Sequence, residues 1–179
     1  MLKIKIHNKN MSEKDEIYSS KISYDGIFNF REFYTFCHNW LTEESGLEVV
    51  ETEYSEKIAG PAKEIKFKWT ATKDVTDYFR FEIKIGFSVR PLTEIEVNQG
   101  GEKVKTNKGK IEIKVTANLE RDYDGKFETS GKMKIWRGIY EKWIISQRVA
   151  EFEDKLSGMS DEFLGQAKSF LALEGKYRQ

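Results

Sequence analysis

The sequence predicts an α+β fold in one domain spanning residues 1–179: an antiparallel sheet of about seven strands, one helix after the first strands, and a long C-terminal helix, interrupted near its middle, packed on the sheet. Three observations predict it. From Leu47 to Trp136 apolar residues recur at every second position almost throughout, the repeat of a strand with one oily face. Before and after that stretch the repeat changes to the 3.6 residues of an amphipathic helix. Pro61 and Pro91 are the only prolines, and no Ser- or Gly-rich linker divides the chain, so a single core is expected.

Taken in order, Leu2, Ile4 and Ile6 alternate with lysines as a short exposed strand, and residues 16–24 form a second strand with Tyr18, Ile22 and Tyr24 on one face. Asn29 followed by Glu32 has the form of a capping box, after which Phe30, Phe33, Cys37, Trp40 and Leu41 recur at helical spacing to about Glu43, and Gly46 closes the helix. The alternating stretch divides into strands at 47–57, 62–73, 78–90, 93–98 with a ragged continuation near 104, 109–121 and 126–136. The clearest is "DYFRFEIKIGFSVRP", which puts Phe79, Phe81, Ile83, Ile85, Phe87 and Val89 on one side and Tyr78, Arg80, Glu82, Lys84 and Ser88 on the other.

Parity tests the hairpins. Folding at Val75 sets Ala71, Trp69, Phe67 and Ile65 opposite Phe79, Phe81, Ile83 and Ile85. Folding at Tyr123 sets Leu119, Ala117, Val115, Ile113 and Ile111 opposite Phe127, Thr129, Gly131, Met133 and Ile135, with Gly125 at a left-handed turn position. After Gly138 a helical stripe runs through Ile139, Tyr140, Trp143, Ile144, Val149, Phe152 and Leu156. Ser157 and Gly158 interrupt it, and Ser160 caps a continuation carrying Phe163, Leu164, Ala167, Phe170 and Leu171. That stripe is the expected cover for the sheet's oily face, since burying each Phe or Ile contributes about 1.5–3 kcal/mol.

This order of strand, helix, antiparallel strands and long C-terminal helix resembles the helix-grip fold of the START and Bet v 1-like superfamily, over about residues 16–174. The glycine-rich loop of the plant allergen branch is missing, and the leading strand departs from the pattern. The resemblance implies a cavity between sheet and helix; it also gives the only precedent for an enzyme, a hydrolase or cyclase, without naming residues. Separately, "NKGKIEIKVTANLERDYDG" and "GIYEKWIISQRVAEFEDKL" with "AKSFLALEGK" resemble segments of an uncharacterised family of short archaeal proteins, which implies no activity.

Composition narrows the classes of function. Thirty basic and thirty acidic side chains leave no net charge, so attraction to nucleic acid or anionic lipid has to be local. Residues 57–114 are the basic part, with 13 basic against 8 acidic groups. Cys37, the lone cysteine, excludes an intrachain disulfide and a thiolate metal cluster. "MLKIKIHNKN" alternates instead of forming the apolar core of a signal peptide, and no run reaches the length of a membrane helix, so a cytoplasmic location is expected.

No catalytic or cofactor signature is present in the sequence, and neither a cofactor nor a metal is expected. His7 and His38 are the only histidines, and no Gly-x-Ser-x-Gly elbow occurs. Cys37 and His38, adjacent on a helix, point about 100° apart; Cys37 reads as packing and His38 as a helix-surface or boundary residue. Glu120, Asp122 and Asp124 before Gly125 resemble a calcium loop, yet the twelfth position is Gly131 where a bidentate Glu belongs, which favours a hairpin turn. "NQGGEKVKTNKGK" lacks phosphate-loop spacing, but it gathers Lys103, Lys105, Lys108 and Lys110 on an irregular, exposed hairpin at 98–110.

The expected function is a non-enzymatic binding domain. It would hold a small apolar ligand between the sheet and helix 138–157, in a cavity lined by Phe33, Trp69, Phe79, Phe81, Ile83, Ile85, Trp136, Tyr140 and Trp143, or present a surface to a protein partner. The alternative is a nucleic-acid or ribosome-associated factor that uses the basic hairpin 98–110 to reach an RNA or protein partner.

Overall fold

The computed structural model describes residues 13–125, 135 and 146–177. Five strands, β1 (Glu13–Phe28), β2 (Glu48–Ala59), β3 (Ala62–Asp74), β4 (Phe79–Gln99) and β5 (Glu102–Arg121), form one antiparallel sheet in the order β1-β5-β4-β3-β2. Helix α1 (Phe30–Asn39) follows β1 and runs into one π-helical turn at Trp40–Glu44; helix α2 (Ser146–Tyr177) comes last. The fold is therefore α+β as the sequence predicts, with five strands among the described residues where about seven were expected.

Two features reduce the number. The expected strands 78–90 and 93–98 are one strand, because the alternation that breaks around Arg90 and Pro91 is absorbed in a bulge between Val89 and Leu92, with a cis Arg90–Pro91 peptide. Beyond it Leu92 to Gln99 pair with Gly109 to Glu102 down to a two-residue Gly100-Gly101 turn, both at positive φ. The hairpin 98–110 is thus regular, contrary to the sequence reading, although its tip is exposed as predicted.

The second correction concerns the fold at Tyr123. Both edges of β5 are occupied, by β4 on one side and β1 on the other, so a strand at 126–136 has no edge of β5 to pair with. Ile135 has helical backbone and is exposed, where the hairpin required an inward strand residue. Residues 121–125 do turn as expected: Gly125 N–H donates to the Asp122 carbonyl at 2.8 Å, and Gly125 has φ +64°. The expected first strand at 2–6, His7, the rest of the expected strand 126–136 and residues 138–145 of the expected helix lie outside the described residues.

The β3–β4 hairpin forms with its apolar residues on one face, but four residues away from the predicted register: Ala71 pairs with Ile83, Trp69 with Ile85, Phe67 with Phe87 and Ile65 with Val89. The connection uses Val75 to Tyr78, in which the Thr76 hydroxyl accepts from the Phe79 and Tyr78 amides and Asp74 pairs with Arg80 across its mouth. An even shift keeps every side chain on its face.

The oily face is covered by both helices. Asn29 caps α1 as the sequence predicts: its Oδ1 accepts from the Arg31 and Glu32 amides, and its Nδ2 donates to Glu32 Oε1 at 2.7 Å. From that start α1 lays Phe30, Phe33 and Tyr34 on Phe67, Trp69 and Phe87. Helix α2 packs chiefly on β1 and β5, burying Leu156, Phe163, Leu164, Ala167 and Leu171. It is unbroken, which corrects the expected interruption at Ser157 and Gly158. Ser160 caps nothing; its hydroxyl donates to the Leu156 carbonyl one turn back at 2.8 Å.

Candidate functional site

The aromatic residues proposed for a cavity divide into two sets. Trp136, Tyr140 and Trp143 lie outside the described residues. Phe33, Trp69, Phe79, Phe81, Ile83 and Ile85 are all buried on the helix-covered face and belong to one core. Their rings meet: Phe67 stacks on Phe87 at 4.3 Å between centroids, Trp69 stands edge-on to Phe87 at 5.0 Å, Phe33 contacts Phe87 and Phe170, and Phe79 meets Phe152 at 5.4 Å. Cys37 sits in the same core, where burial pushes its thiol well above its ordinary pKa and leaves it a packing group. His38 is half-buried with its ring edge-on to Trp69, at the helix boundary as read from the sequence.

Strand alternation divides the basic hairpin between two faces. Lys108 and Lys110 share the open face with Lys114, whereas Lys103 and Lys105 share the opposite side with Ile111 and Val115. Carboxylates on β4 accompany the second pair, with Lys105 Nζ 3.0 Å from Glu94 and opposite Glu96 in the register. The hairpin is therefore a pair of strands with charges of both signs, and on the open face Lys110 Nζ lies 3.8 Å from Glu112.

The middle of the sheet, on the face away from the helices, is the feature the sequence reading missed. In register across it run Lys21 on β1, Lys114 on β5, Gly86 on β4, Lys68 on β3 and Glu53 on β2. The row on one side is Ser19, Thr116, Lys84, Thr70 and Val50; on the other it is Ser23, Glu112, Ser88, Lys66 and Ser55. Because Gly86 has no side chain, a depression forms between the lysines, as two adjoining hollows of about 390 and 430 Å³ that share Lys68, Gly86 and Lys114.

Ion pairs take up some of this charge. Lys68 holds Glu53 at 2.6 Å, Lys21 holds Glu112 at 3.3 Å, and Lys84 lies 3.4 Å from Glu82. Lys66 and Lys114 have no carboxylate within 4 Å among the described residues, and the buried Ser88 hydroxyl beside them has no hydrogen-bond partner.

One end of the open face is closed by a polar cluster. Glu82 is 7 % exposed, with Oε1 2.8 Å from Lys14 Nζ and Oε2 accepting from Asn118 Nδ2 at 2.9 Å; Glu120 lies 3.6 Å from the same lysine. Burial alone would raise the Glu82 carboxyl, but the hydrogen bonds from Lys14 and Asn118 outweigh it and hold the group below its ordinary value. Both Glu82 oxygens are thereby held, which makes the cluster a clamp between β1, β5 and β4.

No family model matches this sequence, and no curated protein or solved structure matches it significantly. Among the described residues no three His, Cys, Asp or Glu side chains are grouped to hold a metal ion, and no helix is long and apolar enough to cross a membrane.

Proposed function

We propose that this chain is a non-enzymatic binding domain whose working surface is the open face of its sheet. The observation that carries the reading is the contrast between the two faces. On the covered face the rings that a captured ligand would have to part already touch one another. On the open face a lysine-lined trough crosses the three central strands at a residue without a side chain. The helix-grip likeness belongs to this proposal in its coarse form only, as a helix after β1 and a long C-terminal helix on an antiparallel sheet, and it brings no ligand with it.

Retention on a sulfated polysaccharide column tests the working surface. The wild-type chain should be retained at low salt despite its zero net charge, and Lys66→Glu/Lys114→Glu should elute earlier. Equal elution would refute the open face as the binding surface. A dye-displacement titration with an apolar fluorophore, together with native mass spectrometry, tests the interior: strong dye uptake or a co-purifying apolar molecule would return the function to the covered face.

A further inference from the structure

Gly86 carries the argument. Glycine weakens the middle of a strand, and where the fold does not require it, a strand glycine often marks a place where something outside approaches the backbone closely. The other glycines of the strands and turns have structural reasons. A Cβ at Gly109 would run into the Pro91 carbonyl oxygen, and Gly100 and Gly101 occupy positive φ in a tight turn. Gly86 has neither reason: its φ is ordinary, and a Cβ there meets no atom within 4 Å. It lies on a central strand with Lys68 directly opposite on one side and Lys114 directly opposite on the other.

Resting on the open-face reading above, we propose that the trough over Gly86 docks the phosphate backbone of double-stranded nucleic acid. Charge fixes the sign of the partner. Lys21, Lys66, Lys68, Lys84 and Lys114 line the pit against Glu53 and Glu112, and among the described residues Lys66 and Lys114 have no carboxylate within 4 Å. Neighbouring strands lie about 4.8 Å apart, so Lys68 and Lys114 flank Gly86 across roughly 10 Å, and Lys66 and Lys68 stand about 7 Å apart along β3. This is a strip of point charges fitted to a line of phosphates. Thr116 and Thr70 in the adjoining row add hydroxyl donors for phosphate oxygens.

Chemistry disfavours two other polyanions. The three central rows contain no aromatic residue on which an unpaired base could stack, which disfavours single strands. They contain no Arg to read base edges, so the docking is independent of sequence. They also lack the Trp, Tyr or Arg anchors that concentrate binding energy at protein interfaces, which disfavours an acidic protein.

Fluorescence anisotropy decides the matter, using short labelled RNA and DNA duplexes, the same strands unpaired, and polyglutamate, at several salt concentrations. At least one duplex should bind about tenfold more tightly than its unpaired strand or polyglutamate, with affinity falling steeply as salt rises. Lys66→Glu/Lys114→Glu should weaken duplex binding at least about tenfold and flatten the log–log salt slope by about 2, one for each phosphate contact removed. Gly86→Glu, whose Cβ meets no atom within 4 Å, should also weaken duplex binding with one substitution. Unchanged melting temperatures establish that the variants fold, and Lys66→Gln/Lys114→Gln serves if charge reversal disturbs the strand. No duplex binding at low salt, equal binding of unpaired strands or polyglutamate, or unaltered binding by folded variants would overturn the proposal. Polysaccharide retention that depends on the two lysines, without duplex binding, would leave the open-face reading standing and remove the duplex.

Discussion

At the scale of single residues, Glu82 shows how a charge is kept nearly out of water on a face that is otherwise open. Its two oxygens are held by Lys14 and Asn118, side chains from the two strands next in order across the sheet. Replacing the carboxylate by the isosteric amide in Glu82→Gln removes the charge that both donors answer, and should cost about 1–3 kcal/mol at neutral pH, read from urea midpoints. The pH dependence has a definite sign. A carboxyl whose folded pKa lies below its ordinary value near 4.5 stabilises the protein above that pH, and the contribution is lost as pH falls through the folded value. The stability difference between wild type and Glu82→Gln should therefore be full at pH 7 and narrow progressively in acid below about pH 4.5; a difference independent of pH would show that the pairing does not shift the group. At the other end of the chain's logic, Asn29→Ala should cost about 0.5–2 kcal/mol, because its side chain satisfies two amides at the start of α1.

At the scale of elements, repeat length was legible and register was not. The covered faces of β3, β4 and β5 followed from alternation alone, as did the capped start of α1 and the stripe of α2, since each depends on neighbours in sequence. Partnership between strands depends on loop geometry that alternation does not carry. Folding β3 on β4 at Val75 places Lys68 opposite Glu82, an unremarkable ion pair; the observed register places it opposite Gly86, and the trough exists only in that register. The same limit applies at Tyr123, where parity allowed a hairpin but β1, far away in sequence, occupies the edge. The continuity of α2 through Ser157 and Gly158 was illegible for a related reason: Gly disfavours a helix locally, while packing of Leu156 and Phe163 on either side holds it in place. Gly158 is exposed and a Cβ there meets nothing, so Gly158→Ala should stabilise the protein by about 0.5–1 kcal/mol in urea unfolding. A loss of stability would mean that the helix breaks there after all.

At the scale of the whole molecule, the sheet has one face that must be covered and one that need not be, the arrangement typical of antiparallel sheets. Cover is divided, with α1 lying over β3 and its neighbour β4 while α2 lies over β1 and β5. The two helices meet over the middle strand β4, where Phe33 of α1 contacts Phe87 and Phe152 of α2 contacts Phe79, but α2 packs chiefly on β1 and β5, which α1 does not cover. Of the buried α2 residues, Leu156, Phe163, Leu164 and Leu171 each contribute about 1.5–3 kcal/mol by leaving water, together about 6–12 kcal/mol. The net stability of a domain is only about 5–15 kcal/mol. Removing α2 also uncovers part of the inner face of β5, on which it packs and whose apolar residues are fully buried. A chain ending at residue 145 should therefore lose its cooperative thermal transition and bind the dye ANS, while retaining strand signal in the far-ultraviolet. If the shortened chain instead melts cooperatively as a monomer, α1 and the sheet form a sufficient core alone, and the division of labour between the helices is wrong.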